Sequence, residues 1–117
     1  MIVKKILLIA LTFLLTQYAY AGGNAAAGAE KSKTCAACHG ADFNKSISPD
    51  IPRLAGQHGD YLERALMDYK SGLRKDPVMG GMAAALSKQD IMDLAAYINS
   101  LKGDLHVISL HRLAGQH

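Results

Sequence analysis

The chain has two cysteines, Cys35 and Cys38, and the second is followed directly by His39. No other feature narrows the range of folds so far, because each chemistry open to Cys-Ala-Ala-Cys-His asks for a different setting. A structural disulfide across two intervening residues closes a tiny loop and removes little entropy from the unfolded chain. A thioredoxin-like redox pair belongs in a βαβ unit. Strand formers are sparse beyond residue 21, where Thr34 is the only threonine and Val78 and Val107 the only valines. Zinc needs four ligands, and no second Cys or His pair has suitable spacing. The remaining reading is covalent attachment of a c-type haem, for which Cys-x-x-Cys-His is the attachment pattern.

That pattern has a chemical reason. On a helix, residues i and i+3 share a face, so Cys35 and Cys38 can present both thiols to the two vinyl groups along one side of the ring. His39 then offers an imidazole to the iron from the proximal side. Ligation through one ring nitrogen leaves the other to donate a hydrogen bond that fixes the tautomer. A carbonyl in Ser46–Pro49, Pro49 foremost, is the expected acceptor.

The rest of the chain agrees that something must supply its interior. Beyond residue 21 there is no Trp, Phe43 is the only phenylalanine, and Tyr61, Tyr69 and Tyr97 complete the aromatics. Much of the remaining apolar content is alanine, a thin supply for a domain this small. The formal net charge of +3 falls to +1 once Lys4 and Lys5 are set aside. The other cations alternate with acids, so no concentrated basic face suits nucleic acid.

Residues 1–21 read as an export signal: Lys4 and Lys5, the apolar run Ile6–Leu15, then Ala19-Tyr-Ala21, with cleavage expected after Ala21. An apolar run of about ten residues is short of the ~20 that span a bilayer. The expected organisation is a signal at 1–21, one domain at 22–103, and an extended or disordered tail at 104–117. The expected location is the periplasm, without stable membrane insertion after cleavage.

Three main helices are predicted. The first covers about 24–34, with Gly28 marking a close approach to another helix. The second runs over Gly59–Ser71 with Gly72 as its stop. The third opens on the capping-box-like pair Ser87 and Asp90, presents Ile91, Leu94, Ala95, Ile98 and Leu101, and is closed by Gly103. Loops at 40–58 and 72–86 are too long for a compact domain unless they wrap something.

The sixth iron position has many candidates: Met67, Met79, Met82, Met92, His58, His106, His111 and His117. Met67 and Met92 fall within helices, where gap-filling is the ordinary role. Met79 and Met82 lie in Asp76-Pro-Val-Met-Gly-Gly-Met82, where Gly80 and Gly81 permit close approach of the backbone; spacing alone does not choose between them.

Together, Cys35-Ala-Ala-Cys-His39-Gly40, Ile51-Pro-Arg-Leu-Ala-Gly-Gln-His58, Met79-Gly-Gly-Met-Ala-Ala-Ala-Leu86-Ser87, Asp90-Ile91 and Leu94-Ala-Ala-Tyr97-Ile98 resemble a class I cytochrome c. In particular, the chain resembles one domain of bacterial periplasmic dihaem cytochromes c. It implies an all-α class I cytochrome c fold, with three main helices and long loops around one covalently bound haem c and its iron. It implies cysteine thioethers at Cys35 and Cys38, His39 as proximal ligand and Met79 as distal ligand, Met82 being the alternative. Tyr97 would pack near Gly28, and Arg53 and Gln57 would lie near the haem edge unless Arg53 is a plain surface residue.

The chain departs from that family in having one Cys-x-x-Cys-His, as a monohaem version would. Arg53-Leu-Ala-Gly-Gln-His58 also recurs as Arg112-Leu-Ala-Gly-Gln-His117. Six residues without their helices are no folding unit and read as a duplicated remnant.

With both axial positions filled, one-electron exchange is the expected activity: a carrier rather than an enzyme, expected as a monomer or weak dimer, serving an oxidase, reductase or dehydrogenase. The other functional readings are an electron-accepting subunit of a larger dehydrogenase such as a sulfur-oxidising flavoprotein, a gas sensor with a weak Met79 bond, and a thiol oxidoreductase.

Overall fold

A computed structural model describes residues 22–105. The expected export signal at 1–21, His106, His111, His117 and the second copy of the hexapeptide lie outside the described residues. Five α-helices occur in the described residues: α1 Ala25–Lys31, α2 Lys33–His39, α3 Gly59–Ser71, α4 Pro77–Ala84 and α5 Lys88–Ser100. None is long and apolar enough to cross a membrane.

The first expected helix is two. Asn24 starts α1 by accepting the Ala27 N–H on its side chain, the usual device for an orphan donor in a first turn. At Ser32 the rod breaks, with Ser32 Oγ donating to the Ala29 carbonyl, and α2 resumes one residue later. A hydroxyl that bonds back to a carbonyl competes with the helix ladder.

α1 crosses α5 at Gly28. A Cβ there would overlap the Asp93 carbonyl and lie 2.8 Å from Tyr97 Cβ; only glycine allows the two backbones so near. Tyr97 thus packs where it was expected. Its ring meets Phe43 edge-on, with centroids 6.2 Å apart. The crossing is also pinned by charge. Asp93 Oδ1 accepts from the Asn24 N–H at 2.7 Å and Gln89 Nε2 at 2.8 Å, while Lys31 Nζ donates to Asp93 Oδ2 at 2.6 Å. Lys31 also pairs with Asp90 at 2.9 Å.

The capping box opening α5 has both arms: Ser87 Oγ accepts the Asp90 N–H and Asp90 accepts the Ser87 N–H. Gly72 stops α3 in the left-handed conformation, φ 81°. Gly103 has a different role from the expected one. α5 ends at Ser100 on an extended Leu101, and Gly103 is small because a Cβ would overlap the Ala55 carbonyl.

The core joins Phe43, Ala55, Leu62, Ala95 and Ile98, with Cys35, Ala36, Leu54, Tyr97 and Leu101 against it. Phe43, Ile91 and Leu94 are the largest fully buried side chains; burial of each is worth ~1.5–3 kcal/mol. Phe43 holds its place at φ 57°, which is uncommon for a bulky residue. Its carbonyl accepts from both Leu54 and Ala55 N–H, and these bonds tie the 40–58 loop to the core.

The 72–86 stretch is not a loop throughout, because Pro77–Ala84 is helical. Asp76 caps it by accepting the Met79 N–H at 2.7 Å, and Pro77 occupies the first turn, where a missing N–H costs nothing. Those signals outweigh Gly80 and Gly81, each ~0.5–1 kcal/mol poorer than Ala in a helix. α4 nonetheless buries only Ala83. The start of the expected tail is held, since Asp104 donates its N–H to Asn44 Oδ1 at 3.0 Å.

Candidate functional site

α2 brings Cys35, Cys38 and His39 together. The helix ends at His39 because Gly40 takes φ 90°. A Cβ on Gly40 would overlap the Lys45 carbonyl, so the loop folds back directly beneath the site. Both cysteines carry free thiols and are half-buried, three residues apart and so on one face of the helix. Burial pushes the Cys35 thiol up, which keeps it protonated and unsuited to attack a disulfide.

His39 is 6 % exposed, and its Nδ1 lies 2.9 Å from the Pro52 carbonyl oxygen. The acceptor is thus Pro52, not a carbonyl in Ser46–Pro49. The chain makes a turn there, with the Ile51 N–H bonded to the Ser48 carbonyl, and this carries the acceptor three residues past Pro49. A carbonyl can only accept, so Nδ1 carries the proton and Nε2 presents its lone pair. Beside this loop lies a cavity of ≈ 480 Å³ whose lining includes Lys45, Ile47, Pro49, Ile51 and Arg53. Arg53 is exposed and pairs with Asp104 at 3.5 Å. The Gln57 carbonyl accepts from Asn99 Nδ2, and its side-chain oxygen from the next N–H, that of His58.

Met79 and Met82 sit on α4, three residues apart and on one face; Met79 is half-buried and Met82 is 38 % exposed. Met67 on α3 and Met92 on α5 are helical, as expected, and His58 is exposed just ahead of α3. α4 packs on α3, and α3 on α5, whereas α2 and α4 make no direct packing contact. The donor set is chemically suited to a covalently held haem: two thiols one turn apart, an imidazole with a committed tautomer, and thioethers on a separate helix. Three contributors were missed from sequence: Pro52, Asp76 and Lys70, the last donating to the Ala84 and Leu86 carbonyls. Only Asp76, ahead of Pro77, left a local signal.

An all-α chain with this attachment helix has a class I cytochrome c fold. The sequence matches the cytochrome c family over residues 25–102, and the chain belongs to that family. It is 46% identical over 99 residues to cytochrome c4 of Pseudomonas aeruginosa, covering 85% of this chain and 49% of that protein. It is 39% identical over 84 residues to the thiosulfate dehydrogenase electron acceptor of Stutzerimonas stutzeri, covering 72% of this chain and 37% of that protein. Among solved structures, reduced recombinant cytochrome c4 from Pseudomonas stutzeri superposes with a TM-score of 0.65 at 42% identity, over 76% of this chain and 51% of that one. The chain spans about half the length of the cytochrome c4 relatives that it matches. Members of the family are electron-transfer proteins rather than enzymes, and their group is a covalently bound haem c with its iron.

Proposed function

We propose that this chain is a periplasmic one-electron carrier holding a single haem c, which passes electrons between respiratory partners. The residues that would hold the group are Cys35 and Cys38 through thioethers, His39 as proximal ligand and Met79 as distal ligand, with Met82 the alternative. The observation that carries this reading is the His39–Pro52 bond beside two thiols on one helical face. The lone Cys-x-x-Cys-His in the sequence favours one haem. The residues at 1–21 have the composition of an export signal, which favours the periplasm.

When bound, the group supplies exchange of one electron between ferric and ferrous iron, and a nitrogen with a thioether raises its potential. The protein's own part is to orient. Pro52 holds the imidazole in one tautomer, the core cluster packs against Cys35, and α4 would carry the thioether. α2 would hold the group through Cys35, Cys38 and His39, and α4 would hold it through its thioether. Met79 is favoured over Met82 by its deeper burial on α4.

A second reading, the electron-accepting cytochrome of a larger dehydrogenase, is favoured by the likeness to the thiosulfate dehydrogenase electron acceptor. Size-exclusion of the native extract separates the two: a species near the chain's own mass supports the shuttle, and a persistent larger complex supports the subunit.

The test of the site is an intact mass with a reduced-minus-oxidised spectrum after expression with a maturation apparatus. One haem's added mass and the weak thioether-to-ferric charge-transfer band are expected. Met79→Ala should abolish the band and Met82→Ala should retain it; the reverse pattern moves the ligand to Met82.

A further inference from the structure

α4 carries the candidate thioethers with little to hold it by packing alone. Ala83 is its one buried residue, and Val78 is 67% and Met82 38% exposed. Eight residues are too few for a helix to stand by itself, and Gly80 and Gly81 weaken it further. Its N-terminal end is fastened within the segment, by the Asp76 side chain on the Met79 N–H. Its C-terminal end is fastened from outside. Lys70, in the last turn of α3, donates from Nζ to the Ala84 carbonyl at 2.9 Å and to the Leu86 carbonyl at 2.6 Å. The last carbonyls of a helix have no partner within it, and an ammonium there is favoured by the helix dipole as well. Leu86 immediately precedes the Ser87 cap of α5, so one ammonium ties α3, the end of α4 and the entry to α5.

We propose that Lys70 is a positioning residue for the sixth iron ligand, a latch that keeps α4 and its methionine closed over the haem. The proposal rests on the reading that α4 supplies that ligand, whether through Met79 or Met82. An exogenous ligand reaches the iron only from the open form, so its apparent affinity scales with the fraction of molecules in which α4 has swung away. Loosening the latch raises that fraction without touching Cys35, Cys38 or His39.

The experiment titrates the ferric holoprotein with imidazole and follows loss of the thioether-to-ferric charge-transfer band. Four proteins are compared: wild type, Lys70→Met, which keeps the stem and removes the donor, Lys70→Arg, which restores a cationic donor, and Lys33→Met. Lys33 is an exposed lysine paired with Glu30 on the neighbouring turn, away from α4. Lys70→Met should bind imidazole about tenfold more tightly, equivalent to about 1.4 kcal/mol. Lys70→Arg should return to within about threefold of wild type, and Lys33→Met should match it. If Lys70→Met matures poorly, Lys70→Gln, neutral but still a donor, is expected between Met and wild type. A Lys70→Met protein with wild-type imidazole affinity overturns the latch, even if its urea midpoint falls. So does an equal shift in Lys33→Met. Failure of the underlying ligand reading is separate: it would appear as a band that survives both Met79→Ala and Met82→Ala.

Discussion

The α1–α5 crossing and the α4 arm are built on opposite plans. The crossing is made of backbone against backbone at Gly28, the edge-on pair of buried Phe43 and half-buried Tyr97, and a carboxylate with three donors. The arm leaves Val78 and Met82 exposed and is fastened at its ends. The polypeptide thus stores its stability at the crossing and keeps α4, which carries the proposed ligand, with Ala83 as its one buried residue. An element that need only be steered can be loosely packed; a scaffold cannot. Changes of identical chemistry should therefore have unequal effects on the two sides.

The largest contrast is between two glycines. Gly28→Ala drives a methyl into the Asp93 carbonyl, which belongs to a helix and cannot retreat; overpacking of this kind costs ~1–3 kcal/mol, and ~3 is expected here. Gly81→Ala meets no protein atom within 4 Å and should leave stability unchanged or raise it by up to ~1 kcal/mol. Urea unfolding of both holoproteins measures the difference. Equal losses at the two sites would break the comparison.

Acid should also find the crossing first. Asp93 is held at about 2, by the Asn24 N–H first, then Lys31 and Gln89. Asp90 is held well below the usual carboxylate range by Lys31 and Ser87. A carboxylate of depressed pKa stabilises the fold above its unfolded value of about 3.9, and that contribution fades as pH falls toward the folded value. The thermal midpoint should therefore drop between about pH 4 and pH 2. Asp93→Asn, less stable at neutral pH, should show a flatter profile over that window. A variant profile parallel to wild type would remove Asp93 as the cause.

What the sequence made legible follows the same division. The Cys35–Cys38–His39 spacing, the Gly72 stop and the Ser87–Asp90 box are local signals with local mechanisms; Gly28 is legible as a small residue within a helix, though its partner Asp93 lies far along the chain. Residues whose partners lie far along the chain were opaque. Pro52 became the His39 acceptor only through the turn at Ser48–Ile51, and Lys70 reaches carbonyls fourteen and sixteen residues on. Gly103 looked like a helix stop because glycine serves both ends; its true constraint, the Ala55 carbonyl, appears only in three dimensions. The Gly, Pro and Asp content of 72–86 suggests a loop, yet the Asp76 cap and the first-turn Pro77 start a short helix that α3 receives.

The smallest effect sharpens the contrast most, because it compares two N-caps that do the same local job. Ser87 and Asp76 each accept the N–H of the third helical residue, at 3.1 Å and 2.7 Å. Loss of such a cap typically costs ~1 kcal/mol. Ser87→Ala weakens α5, whose Ile91, Leu94, Ala95 and Ile98 are in the core, so its cost should appear in global unfolding as ~1 kcal/mol. Asp76→Ala weakens α4, which can open while the core stays intact; its global cost should stay within ~0.5 kcal/mol. Its signature should instead be faster hydrogen exchange at the Gly80 amide, which is bonded to the Asp76 carbonyl at 2.8 Å. If Asp76→Ala lowers global stability as much as Ser87→Ala and leaves Gly80 exchange unchanged, α4 is part of the scaffold, and the division drawn between the two regions does not hold.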